Sequence, residues 1–190
     1  MMLTPDMVVT LPWLVFLAYW LVAGLRVNRM ERREPAGRMV GRVLVMMGAY
    51  YLLFGHDPDL GLLNLRFIPY SDPLYRLGAA LTWLGVAFAI WARYHLAQFW
   101  SASVALREGH QLIRTGPYAY IRHPIYAGML TAILGTALAE GRCRALVAFL
   151  AVLVAFIVKS KFEESLLASQ FGPVFEEHRR QTGFFLPRFS

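Results

Sequence analysis

The chain has 190 residues and a formal net charge of +7, and 57% of its residues are hydrophobic while 16% are charged. Because soluble domains usually carry about 25% charged residues, two classes remain: an unusually apolar soluble core or an integral membrane protein. The single cysteine, Cys143, excludes an internal disulfide and any metal site built from several cysteines, and the five histidines include no pair at i, i+4 spacing, so we expect no metal.

Segment lengths favour the membrane protein. Residues 7–25 form an apolar run without charge, long enough for a transmembrane helix of about 20 residues. Four more spans are predicted at residues 39–54, 74–96, 124–139 and 145–162. The fourth is short for a full crossing. We therefore predict an all-α integral membrane protein with about five transmembrane helices.

The final connection and the tail add detail to this prediction. Residues 140–144 are a short connection, so the fourth and fifth spans are expected to form a helical hairpin. The tail at 163–190 carries apolar residues at helical spacing with charges on the opposite face, interrupted at Gly172-Pro173. This pattern predicts an amphipathic cytoplasmic segment. It either lies on the membrane surface or closes a site from the cytoplasm, and the two roles are compatible.

The placement of positive charge predicts the orientation. Fifteen of the nineteen basic residues lie in or beside the first connection, the third connection and the tail. The other four are Arg66, Arg76, Arg142 and Arg144. Because cytoplasmic loops are enriched in Lys and Arg, we expect the N-terminus outside and the C-terminus in the cytoplasm, with the bacterial inner membrane as the expected location. Charge that follows topology indicates contact with membrane lipids, and no nucleic-acid partner is expected.

One segment beside the fourth span is rich in hydrogen-bonding groups. Residues 114–128 read RTGPYAYIRHPIYAG. Pro124 suits the first turn of a helix, so His123 falls near its N-cap, where free amide groups attract an anion. Arg122 adds a guanidinium and Tyr126 a hydroxyl at the same place. The alternative is that Arg122 reaches a phospholipid phosphate while His123 caps the helix.

A second polar cluster lies at the predicted inner end of the fifth span. Glu163 and Glu164 are two acids at the end of an apolar helix, where they cost free energy unless they face water or a cation. Lys159 precedes Glu163 by four residues, so an ordinary intrahelical ion pair is the alternative explanation. Both clusters lie at the cytoplasmic ends of neighbouring spans, so they are expected to line one cavity. No glycine-rich nucleotide motif or nucleophile elbow accompanies them.

With these motifs in view, the second half of the chain resembles the isoprenylcysteine carboxyl methyltransferase family and, more distantly, phospholipid N-methyltransferases. The matching stretches are residues 107–113, 116–118, 122–128, 163–164, 166–167, 171–172, 183 and 186–188. They occur in order over about half of the chain. The resemblance implies a single membrane-embedded methyltransferase domain over 1–190, with three spans in 1–98 and the cofactor-binding catalytic part in 99–190.

The resemblance also implies S-adenosylmethionine as the methyl donor, bound in a cytoplasm-facing pocket between the last spans and the tail. The implied cofactor-binding residues are His110, Gln111, Leu112, Ile113, Tyr118, His123, Pro124, Ile125, Tyr126, Glu163 and Glu164. The implied catalytic residues are Lys159, Glu163 and Arg122. Lys159 stands where relatives in this family place an arginine at the substrate, and a lysine lacks the fork that holds a carboxylate in one orientation.

Three functions remain open on the sequence. The first is a membrane methyltransferase acting on a lipophilic acceptor that enters from the bilayer, with the carboxylate of an isoprenylcysteine-like substrate as the leading candidate. The second keeps the chemistry but methylates a phospholipid amine or a small thiol. The third is a membrane component without enzyme activity that binds lipid or a partner protein.

Overall fold

The computed structural model describes residues 5–24, 36–55, 58–96 and 112–188. These residues form the α-helices α1 (Pro5–Gly24), α2 (Ala36–Phe54), α3 (Asp72–Leu96), α4 (Pro124–Glu140), α5 (Cys143–Phe171) and α6 (Pro173–Gln181). Two 3₁₀ segments, Pro58–Asn64 and Gly116–Ala119, lie in the connections. Pairing of the β type is limited, within these ranges, to two isolated bridges. The prediction of an all-α integral membrane protein is confirmed.

All five predicted spans coincide with helices, but the helices differ in length and polarity. Three contain segments long and apolar enough to cross a membrane: Met7–Gly24, Asp72–Leu96 and Cys143–Phe171. α4 is apolar but has only 17 residues, about 26 Å at 1.5 Å per residue. α2 has 19 residues and carries two arginines in its first half.

The fifth helix is longer than the sequence indicated. α5 continues to Phe171, whereas the apolar pattern predicted an end near residue 162. Glu163 and Glu164 therefore lie inside a continuous helix and not at its end. The interruption at Gly172-Pro173 is confirmed, since Gly172 separates α5 from the short, amphipathic α6.

Small residues bring α3 and α4 into backbone contact. A Cβ atom added at Gly85 would lie 2.4 Å from the backbone nitrogen of Ala132, and one added at Gly128 would lie 2.7 Å from that of Ala89. Larger side chains would push the two helices apart. At Gly24 and Gly48, by contrast, no atom lies within 4 Å of an added Cβ. The start of α4 is thus fixed against α3.

The turn between α4 and α5 sets the register of the hairpin. Gly141 ends α4 in the left-handed region at φ 66°, which glycine adopts most readily. Its backbone N–H donates to Ala137 O at 2.8 Å. Because the turn is this short, the predicted hairpin is confirmed, and Pro124 and Ser160 both lie about 25 Å from it along their helices. The start of α4 therefore faces the polar part of α5.

Candidate functional site

The C-terminal segment pairs with the segment that precedes α4. Ile121 and Gly183 form a parallel bridge. Arg122 N donates to Gly183 O at 2.9 Å, and Gly183 N donates to Tyr120 O at 2.9 Å. His123 N completes the pairing by donating to Phe184 O at 3.3 Å. This pairing places Arg122 and His123, just before α4, beside the C-terminal segment.

Arg122 and His123 both reach Glu164 on α5. Arg122 Nε donates to Glu164 Oε1 at 2.6 Å, and His123 Nε2 lies 3.1 Å from the same oxygen. The Arg122 guanidinium also donates to the carbonyl oxygens of Arg179 and Thr182. His123 occupies the N-cap position of α4, but its side chain makes no capping hydrogen bond. The alternative in which the imidazole caps the helix is therefore wrong.

Glu163 organises a second group of contacts beside the first. Its Oε1 accepts from Lys159 Nζ at 2.5 Å and from the Tyr126 hydroxyl at 2.7 Å. Lys159 Nζ also donates to the Tyr126 hydroxyl. The intrahelical pair of Lys159 and Glu163 is thus present, and it extends to α4 through Tyr126. His123 Nδ1 lies 3.6 Å from Glu163 Oε2, so the imidazole is placed between the two acids.

These charged groups are buried, which strengthens their interactions. The side chains of His123 and Lys159 are 5% and 6% exposed. Burial alone lowers the pKa of His123, but hydrogen bonds and charge interactions with Glu163 and Glu164 outweigh it and raise the pKa above its usual value. Burial, with the Glu163 charge adding to it, raises the pKa of Tyr118 far above its usual range, so this phenol stays neutral.

A small cavity opens on the Glu164 side of His123. It measures about 70 Å³ and lies between the end of α3, the segment before α4, α5 and α6. Six of its lining residues were predicted: Leu112, Ile113, Tyr118, Arg122, His123 and Glu164. Four others were not: Leu96, Leu167, Phe175 and His178. Phe175 and His178 share one face of α6 at i, i+3 spacing, a signal that could have identified them.

Five of the remaining predicted residues are described by the structure, and none of these five lines the cavity. Pro124 and Ile125 are buried in the first turn of α4. Tyr126, Lys159 and Glu163 form the group on the other side of His123. His110 and Gln111 fall outside the described residues. Within the described ranges, no three side chains of His, Cys, Asp or Glu are grouped as a metal ion would require.

His178 lines the cavity from α6 and is affected by two nearby arginines. Burial, with the charges of Arg114 and Arg122 adding to it, lowers the pKa of His178, so its imidazole is held neutral. Arg114 donates to Val174 O at 2.9 Å and so ties the segment before α4 to α6. The cavity lining therefore carries an acid, Glu164, on α5 and a neutral imidazole, His178, on α6.

The phospholipid methyltransferase family model matches residues 74–174, more than half of the chain, including α3, α4 and α5. Among solved structures, the eukaryotic intramembrane Ras methyltransferase ICMT (isoprenylcysteine carboxyl methyltransferase) superposes with a TM-score of 0.54 at 22% identity. The match covers 80% of this chain and 51% of that one. At this identity the likeness concerns the fold.

Curated relatives carry different names. Cobalt-zinc-cadmium resistance protein CzcN of Cupriavidus metallidurans is 34% identical over 80% of this chain and 63% of its own length. Protein-S-isoprenylcysteine O-methyltransferase of Schizosaccharomyces pombe is 35% identical over 42% of this chain and 34% of its own length. The protein YpbQ of Bacillus subtilis is 33% identical over 61% of this chain and 76% of its own length. The chain thus spans less than two thirds of the first two relatives.

Proposed function

Because the chain belongs to the phospholipid methyltransferase family of membrane methyltransferases, we propose that it transfers a methyl group from S-adenosylmethionine to a lipophilic acceptor. The observation that carries the proposal is the convergence of Arg122, His123 and Lys159 on the acids Glu163 and Glu164. Buried charges from two helices are expensive to assemble. They are concentrated beside a cavity at a helix end, where function explains their presence better than stability does.

The cavity lining fits the chemical character of S-adenosylmethionine. Tyr118 and Phe175 offer aromatic surface for a purine ring. The Glu164 carboxylate suits the positively charged sulfur of S-adenosylmethionine, and the Arg122 guanidinium suits the carboxylate group of the same molecule. A volume of about 70 Å³ accommodates one end of such a molecule. The remainder would lie beyond the described lining.

The residues of this chain would then supply position and electrostatics. S-Adenosylmethionine supplies, when bound, a methyl group on a positively charged sulfur. Glu164, which lines the cavity, would stabilise that charge, and His123 with Arg122 would fix the orientation of Glu164. Pairing of the C-terminal segment with the segment before α4 excludes water from this side, which strengthens the same interactions. Catalysis of this kind needs reacting atoms held at about 3–3.5 Å and no covalent nucleophile from the protein.

For the acceptor, we propose first a carboxylate on a lipophilic molecule of the isoprenylcysteine type. Lys159 is the cation placed for it, inside the apolar helix α5. Glu163 and Tyr126 both contact its ammonium group. An incoming carboxylate would compete with Glu163 for that group, and the tyrosine hydroxyl would remain a donor to either. The role of Lys159 is thus to position the acceptor.

One observation favours a second acceptor, the amine of a phospholipid. The Lys159 charge is already matched by Glu163 at 2.5 Å. An amine acceptor does not require a free cation for its binding, so a Lys159 charge that Glu163 already matches is compatible with it. A carboxylate acceptor therefore requires that Lys159 be released from Glu163, whereas an amine acceptor leaves the Lys159–Glu163 pair intact.

The test is methyl transfer by the purified protein in nanodiscs, using S-adenosylmethionine labelled in its methyl group. Three acceptors are compared: a farnesylcysteine, phosphatidylethanolamine and a small thiol. Base treatment of the products releases volatile methanol from a methyl ester only. We expect labelled methanol from the farnesylcysteine product and its loss in Glu163→Ala. Label in phosphatidylethanolamine instead would assign the second acceptor, and no transfer to any acceptor would favour a binding role without catalysis.

A further inference from the structure

A second cavity lies at the other end of the helix bundle from the candidate site. It measures about 240 Å³, and its polar lining consists of three arginines, one glutamate, two tyrosines and two threonines: Arg66, Arg142, Arg144, Glu140, Tyr70, Tyr75, Thr10 and Thr136. Cys143, at the start of α5, is about 24 Å from Lys159 along the helix axis. The two sites share no lining residue.

Backbone pairing forces two of these arginines together. Arg66 and Arg142 face each other in an antiparallel bridge. The pairing is reinforced on both sides, since Cys143 N donates to Leu65 O at 2.9 Å and Phe67 N donates to Gly141 O at 3.0 Å. Like charges in directly opposed positions are destabilising. The loop before α3 is nevertheless tied to the α4–α5 turn at this point.

The single lining carboxylate does not balance the positive charge. Glu140 Oε1 accepts from Arg144 at 2.5 Å and lies 3.3 Å from Arg142 Nε. Arg66 donates to Ile68 O at 3.3 Å and lies over the Tyr70 ring. Three guanidiniums against one carboxylate leave two positive charges in the lining. The nearby Asp72 accepts from the Tyr70 hydroxyl at 3.0 Å and does not line the cavity.

Arg144 is the most deeply placed of the three. Its side chain is 6% exposed, and its guanidinium donates to Glu140 and to Gly55 O. Its Nε–H is buried without a hydrogen-bond partner. A buried donor left unpaired costs free energy, on the order of 1–3 kcal/mol. A cationic, incompletely satisfied cavity of this kind is stabilised by an anion.

We propose that this cavity binds a phosphate group through the guanidiniums of Arg66 and Arg142, with Arg144 supporting them from behind through Glu140. Planar guanidinium forks match phosphate oxygens. The cavity lies at the end of a membrane-spanning bundle, the level at which lipid phosphates lie. A lipid headgroup and free phosphate offer the same chemistry, and they are separated by experiment. The proposed site explains the position of Arg66, Arg142 and Arg144, three of the four arginines that lie outside the predicted cytoplasmic regions.

The test uses the whole protein in a maltoside detergent, which contains no phosphate. Inorganic phosphate and dihexanoyl phosphatidylglycerol, below its micelle concentration, are titrated separately while the midpoint of thermal unfolding is recorded. We expect a saturable rise in the midpoint. Arg66→Gln and Arg142→Gln should each raise the half-saturating concentration about tenfold. Arg142→Lys, which keeps the charge without the fork, should have an intermediate effect.

Arg76→Gln is the matched control, because Arg76 is exposed on the same end of the protein and does not line the cavity. It should change the half-saturating concentration less than twofold. Saturation by both probes supports a site for the phosphate group itself, and saturation by the lipid alone supports a headgroup site. The proposal is overturned by the absence of saturable binding for both probes, or by equal effects of Arg76→Gln and Arg142→Gln. The test does not depend on methyl transfer.

Discussion

Replacing Glu163 by glutamine tests whether the polar cluster between α4 and α5 is a set of mutually dependent charges. The substitution keeps the size of the side chain and removes its charge. Lys159, only 6% exposed, then loses the carboxylate that lies 2.5 Å from its Nζ. Removing one partner of a buried ion pair costs about 3–5 kcal/mol. The lower end applies here, because the Glu163 side chain is 21% exposed and glutamine still offers one carbonyl acceptor.

A loss of about 3 kcal/mol corresponds to a fall in the unfolding midpoint of about 6–12 °C for a chain of this length. The assay is thermal unfolding of the protein in nanodiscs at a fixed scan rate, followed by tryptophan fluorescence. Glu176→Gln is the matched control: Glu176 pairs with Arg179 at 3.0 Å, but both side chains are exposed. Because exposed pairs contribute little, the control should unfold within about 2 °C of the wild type.

The double variant Lys159→Met/Glu163→Gln separates charge from packing. Methionine has nearly the shape of lysine and carries no charge, so the double variant should recover most of the midpoint lost in Glu163→Gln. The interpretation of the cluster as coupled charges is refuted if Glu163→Gln unfolds like Glu176→Gln. It is also refuted if the double variant falls by the sum of the two single effects.

Three other perturbations have defined outcomes. Gly85→Ala should lower the unfolding midpoint by several degrees because its Cβ would lie 2.4 Å from the α4 backbone, whereas Gly48→Ala, with no atom within 4 Å, should leave it unchanged or raise it slightly. The pKa of His123 is raised in the folded protein, so the contribution of its charge to stability is complete below a pH of about 6.5 and is lost as the pH rises through the raised value. The difference in unfolding midpoint between wild type and His123→Gln should therefore shrink from pH 6 to pH 9. A difference that stays constant over this range would contradict the prediction. Tyr126→Phe removes the 2.7 Å hydrogen bond to Glu163 while keeping the ring, and should weaken S-adenosylmethionine binding about tenfold in equilibrium dialysis; unchanged affinity would remove Tyr126 from the site.

The sequence predicted the helices well because their apolar runs are long and are bounded by prolines, glycines and charges. The end of α5 was missed for a physical reason. Apolar composition ends near residue 162, but the helix continues to Phe171 because Lys159, Glu163 and Glu164 find partners on and before α4. Composition reports which residues prefer lipid. It does not report where a helix leaves the lipid and continues in a polar environment.

Within the candidate site, the sequence predicted the two polar clusters and their proximity, which the 3.6 Å separation of His123 and Glu163 confirms. The pairing of Ile121 with Gly183 was not predicted, because a bridge of a single residue pair leaves no periodic pattern. The same holds for the bridge between Arg66 and Arg142 at the other end. Both depend on contacts between distant parts of the chain, and each determines which side chains meet.

Equilibrium dialysis of labelled S-adenosylmethionine against the purified protein tests the central claim, that the cavity beside His123 receives the methyl donor. Two tryptophan substitutions on neighbouring elements locate the site: Leu167→Trp fills the cavity, while Val174→Trp adds the same side chain at an exposed position that does not line it. Saturable binding of one molecule per chain is expected for the wild type and Val174→Trp, with its loss in Leu167→Trp. No saturable binding to the wild type, or equal affinity in both variants, would contradict the claim.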